Sequence, residues 1–171
     1  MRGLIVGRWQ PPHKGHVKAI RWILERVNEL IIVIGSADQS YTYENPFTAG
    51  ERFEMIDGAL KQEGVSRDRY IIVPVPDIKY NSVWVKHIEN YVPEFDIVYS
   101  GNKLVCELFR DEGYKVKEQK MYEREKLEGT RIRKMMLENK NWEELLPEYV
   151  VTYIKKIDGA GRIRRVEGLY E

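Results

Sequence analysis

Ten residues near the start of the chain, Gly7-Arg8-Trp9-Gln10-Pro11-Pro12-His13-Lys14-Gly15-His16, gather groups suited to handling a phosphate. His13 and His16 stand three apart, so on a helix they project to one face. An imidazole titrates near neutrality and donates hydrogen bonds to phosphate oxygens, more strongly when protonated. Arg8 adds a planar charged fork that matches a phosphate. Gly15 has no side chain, so a phosphate can approach the backbone closely there. Pro11 and Pro12 stiffen the approach by fixing φ.

A strand and a helix position these groups. Residues 4–6 (Leu-Ile-Val) are a short apolar run without alternation, bounded by Gly3 and Gly7, and read as a buried strand. Val17, Ile20, Ile23, Leu24 and Val27 follow at helical spacing. The motif is therefore a strand-to-helix turn, with residues 13–16 opening the helix. A helix start presents unpaired N–H groups and the positive end of the dipole, both favourable to phosphate.

The alternation continues along the chain. Residues 30–35, 70–75, 96–99 and 114–118 read as further strands, the last polar enough for a sheet edge. Residues 48–62, 82–91 and 104–110 read as helices, the first opened by Thr48 and Glu51 at capping-box spacing. Thr130 reads as the N-cap of another helix. Residues 142–157 read as a terminal helical region, with Pro147 near the first turn of its main helix. This pattern predicts an α/β fold, a doubly wound parallel five-stranded sheet with helices on both faces and a C-terminal helical segment. One domain over residues 1–157 is expected, followed by a Gly- and Arg-containing tail over 158–171 with little core of its own. In such sheets ligands bind at the carboxyl ends of the strands, where the loops after the first four strands fall.

The composition narrows the function. The chain has 171 residues, 32% of them charged, with a net charge of +1. That balance gives no general nucleic-acid surface, so a basic site must be local. The single cysteine, Cys106, excludes an intrachain disulfide and reads as a small core residue. No apolar run approaches membrane length and no signal peptide is recognisable, so a soluble cytoplasmic protein without a membrane partner is expected.

The stretch from Gly7 to His16 resembles the H-x-G-H signature of the nucleotidylyltransferases with a Rossmann-like fold. Its longer form is similar to the archaeal-type nicotinamide-mononucleotide adenylyltransferases. Pro12 departs from that pattern, in which Phe precedes the first histidine. Asn45-Pro46-Phe47-Thr48-Ala49-Gly50-Glu51-Arg52, Asn81-x-x-Trp84, Ser100-Gly101-Asn102 and Gly129-Thr130-x-x-Arg133 resemble further segments of the same family. The resemblance runs from about residue 2 to residue 157.

The resemblance implies that Gly7, Arg8, His13, Gly15, His16, Ser100, Gly101, Asn102, Thr130 and Arg133 bind ATP. Arg8, His13, His16 and Arg133 would surround the reacting phosphates, and Arg52, Asn81 and Trp84 would bind the nicotinamide nucleotide. Read as residues alone, Arg52 points toward phosphate or pairs with glutamates on its own helix. Trp84 stacks on a pyridinium ring or belongs to the core with Asn81 as a helix cap. Arg133 holds the polyphosphate or is an exposed helical arginine.

The implied reaction joins ATP and nicotinamide mononucleotide into NAD and pyrophosphate, by in-line attack of the mononucleotide phosphate on the ATP α-phosphorus. Mg²⁺ would bridge phosphates and keep mostly water ligands, with no metal site of the protein's own. The alternatives are adenylyl or cytidylyl transfer to another phosphorylated acceptor, and a silent nucleotide sensor. Members of the family commonly form multimers. Trp142, Leu145, Leu146, Tyr149, Val150 and Tyr153 crowd one terminal region with apolar side chains, so a homo-oligomer, as a hexamer, is expected.

Overall fold

The computed structural model describes residues 1–119, 122–123 and 126–168. Strands β1 (Arg2–Gly7), β2 (Glu29–Ile34), β3 (Tyr70–Pro74), β4 (Ile97–Ser100) and β5 (Lys115–Glu118) form one parallel sheet in the order β3-β2-β1-β4-β5. Helices α1 (Lys14–Leu24), α2 (Ala49–Gln62), α3 (Trp84–Glu89), α4 (Lys103–Asp111), α5 (Gly129–Leu137), α6 (Glu148–Lys156) and α7 (Gly159–Val166) complete it. The Rossmann-like α/β expectation is met.

The absence of alternation in β2 has its cause in this layering. Leu30, Ile31, Ile32, Val33 and Ile34 are all fully buried, because both faces of the sheet are covered. On one face Ile5, Leu30, Ile32, Ile34 and Tyr99 pack with Ile20, Ile23 and Leu24 of α1 and Ile56 and Leu60 of α2. On the other, Leu4, Ile31, Val33 and Val98 pack with Val85 and Ile88 of α3 and Phe109 of α4. β5 leaves its lysines and Glu118 exposed, as an edge strand should. Cys106 is buried on α4.

A third core joins Met55 and Ala59 of α2 to Ile132, Met136, Trp142, Leu146, Val150, Ile154 and Ile163. This core corrects two sequence expectations. Residues 159–166 are a helix with Ile163 fully buried, not a tail without a core. Half of the crowded apolar residues of 142–153 are taken up inside the chain. Trp142, Leu146 and Val150 are buried, and Tyr149 packs where a Cβ on Gly58 would collide with its ring. Leu145, Tyr149 and Tyr153 are half-buried, so only part of the expected apolar patch is left at the surface.

Two smaller differences concern helix starts. Glu128, not Thr130, is the N-cap of α5, so Thr130 is the second residue of the helix. Residues 81–83 form a 3₁₀ turn before α3 rather than its first turn. By contrast Thr48 and Glu51 make the reciprocal capping box that their spacing predicts.

Candidate active site

Strand order reverses direction at β1, between β2 and β4, and a crevice opens at the carboxyl ends there. It holds an open cavity of about 330 Å³ whose lining includes Arg8, His13, Gly15, His16, Asn102 and Gly129. The loops after β1 and β4 and the start of α5 thus meet at one place. Of the implied ATP residues, Arg8, His13, Gly15, His16 and Asn102 line that cavity.

The two histidines are fixed by each other. His13 is the N-cap of α1 and His16 its third residue; the His16 N–H donates to His13 Nδ1 at 3.3 Å, and the His13 N–H donates to His16 Nδ1 at 3.0 Å. This is a capping box written with imidazoles in place of Ser/Thr and Glu. The rings stack at 3.6 Å between centroids. Burial pulls the His13 pKa down from 6.5 to about 4. Burial, reinforced by repulsion from His13, holds His16 well below the ordinary value. Both rings are therefore neutral at pH 7, which corrects any reading that needs imidazolium in the free protein. A neutral ring that accepts at Nδ1 carries its proton on Nε2. Each histidine so presents one Nε2–H donor whose tautomer the helix start dictates. The linkage has a definite sign. An unfolded histidine takes up a proton near pH 6.5 while folded His13 does so only near 4. Stability falls as pH drops through that window, by about 1.4 kcal/mol per pH unit.

Trp9 and Gln10 carry no role in the sequence reading, yet they hold the turn together. Trp9 has φ at +56°, a left-handed conformation costing a bulky residue about 1–2 kcal/mol. It is held there because the indole is buried, donates from Nε1 to the Val33 carbonyl at 2.9 Å, and packs edge-on against His16. The indole lies on Gly7, where a Cβ would come within 2.9 Å of it. A Cβ on Gly15 would press on the His13 ring at 3.0 Å, so this glycine also keeps that imidazole in place. Gln10 clamps Phe47 from both sides, accepting from its N–H at 2.9 Å and donating to its carbonyl at 3.0 Å. That joins the loop after β1 to the loop after β2.

Arg52 is not a surface arginine in either of the senses its sequence allows. It is fully buried, and its guanidinium donates to the carbonyls of Thr48, Arg8, Gly35, Ser36 and Gln39 at 2.8 to 3.3 Å. A guanidinium has five N–H donors, so none remains for a nucleotide. Burial first, and the charge of Arg8 second, lower its pKa to about 10, which leaves it charged. In this structure it ties together the loops after β1 and β2 through their carbonyls.

Arg133 is also buried. Its Nη1 donates to the Gln10 carbonyl at 2.9 Å, and Nη2 reaches Glu44 at 3.5 Å and Thr130 Oγ1 at 3.4 Å. Its Nε has no hydrogen-bond partner among the described residues. Arg8 is exposed, with one contact to Asn45 at 3.5 Å. Burial, then Arg8, lowers the Arg133 pKa as well. A local cluster of guanidinium charge therefore exists in a chain of net charge +1.

Asn102 caps α4 by accepting from the Val105 N–H at 3.1 Å, and its own N–H donates to Ser100 Oγ. Ser100 is buried beneath this turn and Gly101 is exposed on it. On the β3 side, Asn81 is exposed, and Trp84 is half-buried with its ring edge-to-face on Phe109. Neither lines the cavity that contains the histidines. Among the described residues, no group of three or more His, Cys, Asp or Glu could hold a metal ion. No helix among them is long and apolar enough to cross a membrane.

Comparison with known proteins agrees with this geometry. The cytidylyltransferase-like family model matches residues 4–135. A nicotinamide-nucleotide adenylyltransferase of Thermococcus sibiricus is 52% identical over 96% of this chain and 88% of its own length. One of Pyrococcus furiosus is 51% identical over 95% of this chain and 87% of its own. A bifunctional NMN adenylyltransferase/ADP ribose pyrophosphatase of Francisella tularensis, solved with AMP and a manganese ion, shares the fold with a TM-score of 0.78 at 18% identity. The match covers 98% of this chain and about half of that longer protein, 53%. The chain belongs to the cytidylyltransferase-like nucleotidyltransferases, and within them to the family of archaeal nicotinamide-nucleotide adenylyltransferases.

Proposed function

We propose that the protein joins ATP and nicotinamide mononucleotide to give NAD and pyrophosphate. The observation that carries this reading is the imidazole pair at the start of α1, two neutral rings with fixed Nε2–H donors beside Arg8 at the crevice. An oxygen of the mononucleotide's 5′-phosphate forms a bond to the α-phosphorus of ATP. The bond from that phosphorus to the bridging oxygen breaks in line, and pyrophosphate leaves with the electron pair. The attacking phosphate is already largely ionised near neutral pH, its second pKa being about 6, so no base is required of the protein. The work of the site is positioning and charge stabilisation. His13 and His16 donate to phosphate oxygens around the reacting centre, and Arg8 and Arg133 neutralise the polyphosphate.

A divalent cation fits this site as the counterion of the triphosphate, held by phosphates and water, since the described residues offer no carboxylate cage. Mg²⁺ is the cation we propose. Asn102 and the turn of Ser100 and Gly101 lie beside the nucleotide, with Thr130 supporting Arg133. Asn81 and Trp84 receive the nicotinamide end. A homo-oligomer, as a hexamer, resting mainly on the family resemblance, and a cytoplasmic location, resting on the sequence pattern, complete the proposal.

Pyrophosphate release tests it, measured with ATP and a panel of phosphorylated acceptors. A dinucleotide formed in a one-to-one ratio with pyrophosphate, NAD from nicotinamide mononucleotide or its carboxylate counterpart from nicotinate mononucleotide, and none from other acceptors, is expected. Turnover with other acceptors but not these overturns the assignment.

A further inference from the structure

The side chains of Arg8 and Arg133 both touch one small turn. Residues 41–46 close it, with the Tyr41 N–H donating to the Pro46 carbonyl at 3.3 Å and the Thr42 N–H to the Asn45 carbonyl at 3.3 Å. At its tip, Asn45 meets Arg8 and Glu44 meets Arg133. At its base, α7 takes hold. Arg162 is buried, and its Nη1 donates to the same Pro46 carbonyl at 3.1 Å. Its two nitrogens also grip both oxygens of Glu51, at 2.6 and 2.8 Å, and the Tyr41 ring covers the guanidinium at 4.2 Å. Glu51 in turn accepts from the Thr48 N–H at the start of α2. A second contact runs through Phe47, since a Cβ on Gly159 would strike its ring at 2.7 Å.

We propose that Arg162 is a positioning residue for nucleotide binding, setting Arg8 and Arg133 through the turn that it holds at Pro46. A bidentate arginine–carboxylate pair fixes orientation as well as distance. Arg162 sits between the rigid start of α2 and a turn whose own backbone bonds are long. Loss of the fork frees the base of the turn, and the displacement appears at its tip, where both cationic groups are set. A misplacement of about 1 Å is enough to matter at such a site. Helix α7, read from sequence as part of a tail with little core, therefore serves a site built from residues near the other end of the chain.

The inference rests on the nucleotide named in the proposed function and not on its acceptor. ATP binding is therefore read first by calorimetry, with no acceptor present, and then as separate KM values for ATP and mononucleotide. A protein that binds ATP yet forms no NAD fails the proposed function, while the binding comparison still decides this inference. Arg162→Met is expected to weaken ATP about tenfold in both Kd and KM, with KM for the mononucleotide within about twofold of wild type. A merely structural role would lower the active fraction, and so kcat, without splitting the two KM values. Arg162→Lys keeps the charge and the stem and loses the fork; it carries the test where the Met variant does not fold. It is expected to weaken ATP severalfold, and Glu51→Gln to do the same. Wild-type ATP affinity in a folded Arg162→Met or Arg162→Lys protein overturns the inference.

Discussion

The loop after β1 and the loop after β3 sit at the same edge of the sheet and are built in opposite ways. After β1, Trp9, Gln10 and His13 are buried, and the ring nitrogens that face the backbone are hydrogen-bonded to it. After β3, Ile78, Tyr80 and Val83 are 38%, 60% and 44% exposed, and neither the 3₁₀ turn at Asn81 nor α3 has a side-chain cap. The loop's start is tied down by Ser36 donating to Asp77, by the Asp77 N–H donating to Asp38, and by His87 Nε2 at 2.7 Å from the Pro76 carbonyl. The triphosphate thus meets donors already in place, whereas the acceptor meets side chains still to be ordered. Ordering on binding costs affinity, and donors fixed beforehand do not incur it.

The difference can be broken most severely from beneath. Arg52→Met removes five donors and leaves buried carbonyls of both loops without partners. It should cost roughly 3–5 kcal/mol of stability, read by urea denaturation. A variant as stable as wild type would show that the loops hold themselves. His16→Ala leaves the sheet and Arg52 alone but deletes one phosphate donor and half of the imidazole capping box. Its kcat should fall about 10²–10³-fold, with KM for the acceptor little changed. Near-normal turnover would remove His16 from the chemistry. On the acceptor side the effect should be smaller and confined to one substrate. Trp84→Ala should raise KM for the mononucleotide about tenfold, a stacking contribution of about 1–2 kcal/mol, while ATP binding is preserved. Equal losses for both substrates would return Trp84 to the core that it shares with Phe109.

What sequence conveys differs between these regions for a physical reason. Strands, the α2 capping box and the histidine turn are legible because each is a local pattern, an apolar run or a fixed spacing, that decides its own conformation. Arg52 and Arg133 are visible as cationic residues, but their burial depends on carbonyls of residues as distant as Arg8 and Gln10. No local pattern encodes that. Residues 158–168 are misleading in another way. Gly159 and Gly161 read as helix breakers, yet Gly159 is required by the close approach of Phe47, and Gly161 by the Asp158 carboxylate. Ala160, Ile163 and Val166, three apart, are the helical signal in that stretch. Trp142, Leu146 and Val150 show how an apolar cluster reads alike whether it covers another subunit or its own α2.

The most direct test is nitrogen-15 NMR of the imidazoles of His13 and His16 in the ligand-free protein, followed from pH 7.5 down to 4.5. Both rings should be neutral at pH 7 with the proton on Nε2, and His13 should stay largely neutral at pH 5, since its pKa lies at about 4. Two donors of fixed tautomer aimed by one helix start would then stand as the core of the site. Imidazolium signals at pH 7, or a proton on Nδ1 of either ring, would contradict the reciprocal cap and the phosphate cradle built on it.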